Sequence, residues 1–132
     1  MQAFSGAGRY LRIHSRQTAI FCARWRPLFQ MALRLQGVET RVARNGLEAV
    51  EAVREELFDA IVMDVEMPKM NGWDAVLAIR QLDHGQKTPI FMFTAYGNGE
   101  NLEKALAVGA NDLWHKPVLP IEILERINRH LA

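Results

Sequence analysis

From residue 38 onward, short β-branched and aromatic runs alternate with segments whose apolar residues recur every three or four positions. Val38–Ala43 reads as a strand, and Asn45-Gly46 closes it with a turn that also starts a helix. Leu47, Val50, Val53 and Leu57 then fall at helical spacing. Phe58–Met63 is a continuous apolar run, the pattern of a buried strand, and it ends on Asp64. Val76, Leu77 and Ile79 mark a helix over about Trp73–Leu82, and Pro89–Phe93 is a second buried strand stopping at Thr94. Leu102, Ala105 and Leu106 line a helix that stops near Gly109. Asp112–His115 is a short strand before Lys116-Pro117, and a last helix from Pro120 carries Ile121, Leu124, Ile127 and Leu131 on one face.

Upstream the pattern is weaker. Thr18–Ala23 is the best candidate for a first, central strand. Trp25–Gln36 follows as a helix with Leu28, Met31 and Leu35 inward, Pro27 in its first turn and Gly37 at its end. Tyr10–His14 alternates like an edge strand but reads equally as a disordered tail. The expected organisation is an N-terminal segment or tail over 1–17 and one domain over 18–132. Strands alternating with helices argue for a parallel sheet covered on both faces. In such sheets, sites form outside the carboxyl ends of the strands, where the strand order reverses. Asp64, Thr94 and Lys116 all sit at predicted strand ends, so they should meet on one rim.

Composition narrows the function classes. A chain of 132 residues with 49% apolar content suffices for one core. A net charge of +1 points to neither nucleic acid nor a membrane surface. Cys22 is the only cysteine, which excludes an internal disulfide and makes a reducing compartment the default. No apolar run approaches the roughly 18 residues of a bilayer span. The expectation is a cytoplasmic domain. The charge is nevertheless uneven: Arg9, Arg12, Arg16, Arg24, Arg26 and Arg34 precede Gly37, while no carboxylate precedes Glu39. Such an acid-free, Arg-rich start also matches the composition of a transit peptide.

Met63-Asp64-Val65-Glu66-Met67-Pro68-Lys69-Met70-Asn71-Gly72 resembles the phosphoacceptor loop of response-regulator receiver domains, in the form found in receivers attached to hybrid histidine kinases. Further on, Thr94-Ala95 resembles the family's switch hydroxyl with its small neighbour, and Lys116-Pro117 its lysine and following proline. Ala107–Asp112 resembles the Ala-Gly-Ala-Asp-Asp stretch, and Asn45-Gly46-Leu47-Glu48-Ala49 the start of the second helix. The resemblance covers about residues 18–131. It implies a doubly wound, five-stranded parallel sheet of flavodoxin-like order 2-1-3-4-5, and a signalling switch rather than an enzyme. It also implies Asp64 as phosphoacceptor, Thr94 as switch hydroxyl and Lys116 as charge partner of the phosphoryl group. The implied partner is a histidine kinase or a histidine phosphotransfer domain; composition already argues against a membrane, and against nucleic acid within this chain.

Taken singly these residues mean little: a lone Asp after a strand is ordinarily a turn-former, and Lys-Pro or Thr-Ala occurs anywhere. Their conjunction carries the chemistry. A carboxylate and a phosphoryl group repel, so transfer between them depends on positioning and charge neutralisation, usually with Mg²⁺. Lys116 offers a point charge and Thr94 a hydroxyl. Trp25, Trp73 and Trp114 are expected to be packing groups, Cys22 a small buried hydrophobe, and His14, His84, His115 and His130 show no metal-ligand spacing.

Two departures from the family pattern stand out. Receivers hold Mg²⁺ through an acidic pair at the end of the first strand, the phosphoacceptor, and a backbone carbonyl two residues later. Here the pair would fall at Ile20 and Phe21, or at Cys22 and Ala23, and neither register supplies an acid. Asp64 and the Glu66 carbonyl remain, an Mg²⁺ site that is weak or absent. Three residues before Lys116, where the family places Tyr or Phe, stands Leu113. Three accounts fit these departures. The domain is a pseudo-receiver that acts through protein contacts alone; or it is weakly phosphorylated, with Arg24 or Arg26 approaching Asp64 in the metal's stead; or the first 36 residues are not the family's native start. A flavodoxin-like flavin site is disfavoured, because Ala23–Pro27 lacks the small, hydroxyl-bearing residues of a phosphate loop. No helix-turn-helix remains after the βα units are assigned.

Overall fold

A computed structural model describes residues 18–22, 26–35, 37–67, 69–95, 102–116 and 119–131. Among the described residues, five strands alternate with five helices: β1 Thr18–Cys22, α1 Arg26–Leu35, β2 Glu39–Val42, α2 Gly46–Glu55, β3 Ala60–Asp64, α3 Gly72–Ile79, β4 Ile90–Thr94, α4 Leu102–Val108, β5 Asp112–His115 and α5 Pro120–Leu131. The strands form one parallel sheet in the order β2-β1-β3-β4-β5. The chain leaves β1 first toward β2, then returns past it to β3. The order therefore reverses between β1 and β3, and Asp64 is the last residue of β3 at that switch point. The expected doubly wound fold is the one observed.

Local chemistry explains most of the element boundaries. Asn45 and Asn71 cap α2 and α3, each accepting a main-chain N–H three residues on, from Glu48 and Asp74, at 2.9 Å. The ends of α1 and α4 share one device. Gly37 (φ 86°) donates to the Arg34 carbonyl and Val38 to that of Leu33, while Gly109 (φ 110°) donates to Leu106 and Ala110 to Ala105. Both are Schellman stops, which need a left-handed residue that glycine adopts at no steric cost. β3 and β4 are buried at every residue, as the middle of a doubly covered sheet requires. Successive residues face opposite sides. Ile61, Met63, Ile90, Met92 and Leu113 join the core shared with α2, α3 and α4. Phe91 and Phe93 lie against Trp114 on the other side.

The structure corrects the phase of several helices. Met31 and Leu35, expected inward on α1, are 64% and 79% exposed, and Leu33 is buried instead. α1 carries two overlapping apolar stripes, and the Schellman stop that seats Val38 beside Leu33 selects the other one. On α2, Ala49, Val50, Ala52 and Val53 are buried while Leu47 and Leu57 at its ends are exposed. Small residues let α2 lie close to its neighbours, and the long leucines are left at the margin. Ile121 on α5 and Leu102 and Leu106 on α4 are likewise exposed; Ile123, Leu124 and Ile127 form the buried face of α5.

α3 ends at Ile79, three residues short of the expected Leu82, and a 3-10 turn over Asp83–Gly85 follows. The cause is Arg80. Its guanidinium donates to the carbonyls of Gly109 (2.9 Å), Gly85 and Thr88 (both 2.7 Å), and to Asn111 Oδ1 at 3.1 Å. Asn111 Oδ1 also accepts the N–H of Ile90 at 2.7 Å, and its Nδ2 lies 3.3 Å from His130 Nε2 on α5. Gly85 is required here, because a Cβ at that position would stand 2.1 Å from the Ile79 carbonyl oxygen. This cluster fastens the amino-terminal end of the sheet, opposite Asp64. Partial burial holds the Arg80 guanidinium below its ordinary pKa. Removing it leaves several half-buried acceptors without a donor. Arg80→Ala is therefore expected to lower the unfolding free energy by about 3 kcal/mol in urea titrations. Arg80→Lys should recover only a minor part, since an ammonium cannot reproduce the planar fork.

Candidate functional site

Asp64 ends β3 beside Phe93 of β4, and Thr94 ends β4 beside His115 of β5, with Lys116 next in the chain. Main-chain bonds lock this stagger: Val65 N–H donates to Phe93 O at 2.7 Å and Lys116 N–H to Thr94 O at 2.9 Å. The three residues expected on one rim thus occupy consecutive strand ends. Their side chains are buried to different depths: Asp64 is 3% exposed and Thr94 fully buried, while Lys116 reaches in from a half-buried position.

The loop after Asp64 is shaped by close backbone approach. Gly72, the first residue of α3, donates its N–H to Val65 O at 2.9 Å. A Cβ on Gly72 would come within 2.6 Å of the Asp64 carbonyl oxygen and 2.9 Å of Val65 Cα. Gly46 packs as tightly from α2, where a Cβ would meet the Met70 carbonyl oxygen at 2.3 Å. Lys69 turns this loop with φ 67°, the left-handed region that side chains other than glycine adopt at a cost.

The expected ion pair is present: Lys116 Nζ donates to Asp64 Oδ2 at 2.7 Å. Asp64 Oδ1 accepts the main-chain N–H of Glu66 at 3.1 Å. Burial nevertheless dominates and raises the Asp64 pKa above the usual carboxylate value. The Lys116 hydrogen bond and charge and the Glu66 N–H pull it down, and the Glu66 charge adds a smaller upward push. The Thr94 hydroxyl donates to Glu66 Oε2 at 2.8 Å. This carboxylate was not expected in the site, where the sequence pointed only to the Glu66 carbonyl. Its position two residues beyond Asp64, in the same loop, was the available signal.

Among the described residues, no three His, Cys, Asp or Glu side chains gather as a metal site. β1 contributes Thr-Ala-Ile-Phe-Cys and no carboxylate. Its register pairs Ile20 with Ile61, Phe21 with Val62 and Cys22 with Met63, so Ile20 and Phe21 are set back from the Asp64 rim. Ala23, Arg24 and Trp25 lie outside the described residues, as do Pro117, residues 1–17 and the side chain of Arg26, and with them the expected approach of Arg24 or Arg26 to Asp64. Leu113 sits in the core with Trp73, Met92 and Ala105. Trp114 faces the other side, where it stacks on Phe91 with centroids 5.1 Å apart and donates Nε1–H to Asp112 Oδ2 at 2.7 Å. Trp73 and Trp114 are both packing groups, each with a cation over its ring, Lys104 and Arg126.

A carboxyl that holds its proton more tightly in the fold than in the unfolded chain stabilises the protein in acid. That contribution is lost as pH rises through the folded-state value. Asp64→Asn should accordingly be more thermally stable than the native protein at pH 7. The difference should narrow as the pH falls into the carboxylate range, which melting curves across pH will check. A second expectation concerns Gly72→Ala, which must push the Asp64 backbone away. It should cost about 2 kcal/mol of stability, read by urea unfolding, and shift the Asp64 amide resonance.

Residues 24–128 match the response regulator receiver domain family, a match that begins just after β1. The chain is 36% identical over 116 residues to hybrid signal transduction histidine kinase B of Dictyostelium discoideum, covering 79% of this chain but only 6% of that kinase. It is 38% identical over 87 residues to the chemotaxis protein CheY of Thermotoga maritima, covering 66% of this chain and 71% of CheY. In structure it is similar to the receiver domain of a Pseudomonas aeruginosa sensor histidine kinase, crystallised with a magnesium ion coordinated in its active-site cleft. The TM-score is 0.76 at 27% identity, over 89% of this chain and 98% of that one. With the parallel sheet in its 2-1-3-4-5 order and Asp64 at the switch point, this chain belongs to the response regulator receiver domains of two-component signal transduction.

Proposed function

We propose that Asp64 accepts a phosphoryl group from a histidine kinase or a histidine phosphotransfer domain, and that the transfer is impaired. The observation that carries this reading is the Lys116–Asp64 contact of 2.7 Å at the switch point, beside the buried Thr94. In the transfer, a carboxylate oxygen of Asp64 bonds to phosphorus as the N–P bond of phosphohistidine breaks; the ring nitrogen keeps the bonding pair, and the imidazole leaves neutral with the proton already on its other nitrogen. Burial makes the Asp64 anion costly and hence a better nucleophile, while Lys116 keeps it ionised and offsets charge on the incoming oxygens. The added phosphoryl charge is what the rest of the domain would sense.

The impairment follows from the metal. Asp64 already paired with Lys116, the Glu66 carbonyl, and a Glu66 carboxylate held by Thr94 do not fit a tightly held Mg²⁺, which takes near-octahedral oxygen ligands. The missing acids favour a second reading, a pseudo-receiver that serves as a protein-interaction module without phosphate. The family match beginning at residue 24 leaves β1 outside it, which is consistent with an atypical N-terminal segment.

Incubation with phosphoramidate and Mg²⁺, followed by intact-mass spectrometry, separates the two readings. Slow formation of a phosphoryl adduct is expected in the native chain and none in Asp64→Asn. Lys116→Ala should be slowed about a hundredfold or more. An unmodified native chain, in a mixture that labels a receiver with an intact acidic pair, would leave only the interaction-module reading. Mg²⁺ titration by tryptophan fluorescence should show no saturation in the sub-millimolar range.

A further inference from the structure

Glu66 enters the site twice. Its main-chain N–H holds Asp64 Oδ1 at 3.1 Å, and its carboxylate reaches over the rim to take the Thr94 hydroxyl at 2.8 Å. Thr94 is fully buried, so its single hydroxyl proton needs an acceptor close at hand. A carboxylate is the strongest acceptor a side chain offers, with bonds roughly twice as strong as neutral ones. The contact spans two strand ends, 28 residues apart in sequence.

We infer that the Glu66 carboxylate is an internal anion that occupies Thr94 in place of a phosphoryl oxygen. Phosphorylation of Asp64 then has to displace Glu66 instead of filling an open position. The inference rests on the phosphoacceptor reading of Asp64. A phosphoryl group on Asp64 brings further negative charge and three acceptor oxygens to within two residues of the Glu66 carboxylate. Lys116, the cation bonded to Asp64, would then face two anions, and the repulsion falls on Glu66 because it is the exposed one. Before phosphorylation, by contrast, Thr94 is already held by a negative oxygen. Glu66 acts through Thr94 and is a positioning residue, not a nucleophile.

The test compares phosphoramidate labelling of the native chain, Glu66→Ala, Glu66→Gln, Thr94→Ala and the Glu66→Ala/Thr94→Ala double variant, with Mg²⁺ added throughout. In the assay the P–N bond breaks as a carboxylate oxygen of Asp64 takes the phosphorus, and ammonia leaves with the protons already on its nitrogen. Glu66→Ala should be labelled about tenfold faster than the native chain, the scale of one hydrogen bond to a charged group. Glu66→Gln, which keeps an acceptor and loses the charge, should fall between them. The acceleration should vanish in the Thr94→Ala background. In unphosphorylated protein the Thr94 methyl resonance should move on Glu66→Ala substitution. Equal rates for the native chain and Glu66→Ala overturn the inference and leave the phosphoacceptor reading intact. An acceleration that persists without Thr94, or an unmoved Thr94 methyl, overturns it as well. If no variant is labelled, the phosphoacceptor reading fails and this inference fails with it.

Discussion

The organising constraint is a carboxylate brought to the end of a fully buried strand. β3 runs Ala-Ile-Val-Met-Asp with every residue inaccessible, so Asp64 leaves water along with its apolar neighbours. A lone ion in that position would revert to the neutral acid. Lys116 and the Glu66 N–H reduce the penalty, and both are delivered by backbone already fixed for other reasons: Lys116 by its main-chain bond to Thr94, Glu66 by the loop that Gly72 closes against Val65. The close packing of Gly46 and Gly72, the left-handed Lys69 and the stagger of β3, β4 and β5 all serve to bring these donors within reach of one side chain.

Where a single local rule decides, the sequence was readable. Asn45 capping α2, Gly37 and Gly109 ending α1 and α4, and the apolar runs of β3 and β4 each depend on neighbours a few residues away. Asp64, Thr94 and Lys116 were legible because parallel strands all end on one side, which places strand-final residues together whatever their distance in sequence. Arg80 was not legible. Its four acceptors come from the 3-10 turn, the residue two before β4, and the α4–β5 connection, and nothing in the pattern around residue 80 marks it as other than a solvated arginine. The phase of α1 was misread because two apolar stripes overlap there, and the choice is made by Val38, outside the helix. The Glu66 carboxylate was overlooked because an exposed, flexible side chain has no preferred direction until a buried hydroxyl offers it one.

β1 separates what the sheet needs from what the chemistry needs. Thr-Ala-Ile-Phe-Cys pairs in register with both β2 and β3, as an interior strand must, and contributes no acid. A parallel sheet asks its interior strands for extended, apolar residues that pair on both sides. It asks nothing of the side chains that end it. A chain can satisfy the first demand and neglect the second without losing the topology, and this one does.

The Arg80 cluster sits at the amino-terminal end of the sheet and the carboxylates at the other. The elements at that lower end are tied by a side chain that touches none of the groups at the rim. Part of the cohesion is thereby independent of the rim: polar side chains around Asp64 can be exchanged in the course of evolution without loosening the lower end, whereas the glycines that let the loop close cannot. Such a scaffold tolerates drift in the polar side chains of its rim. Descendants whose rim residues have changed can persist as intact domains long enough for their surfaces to be selected for something else.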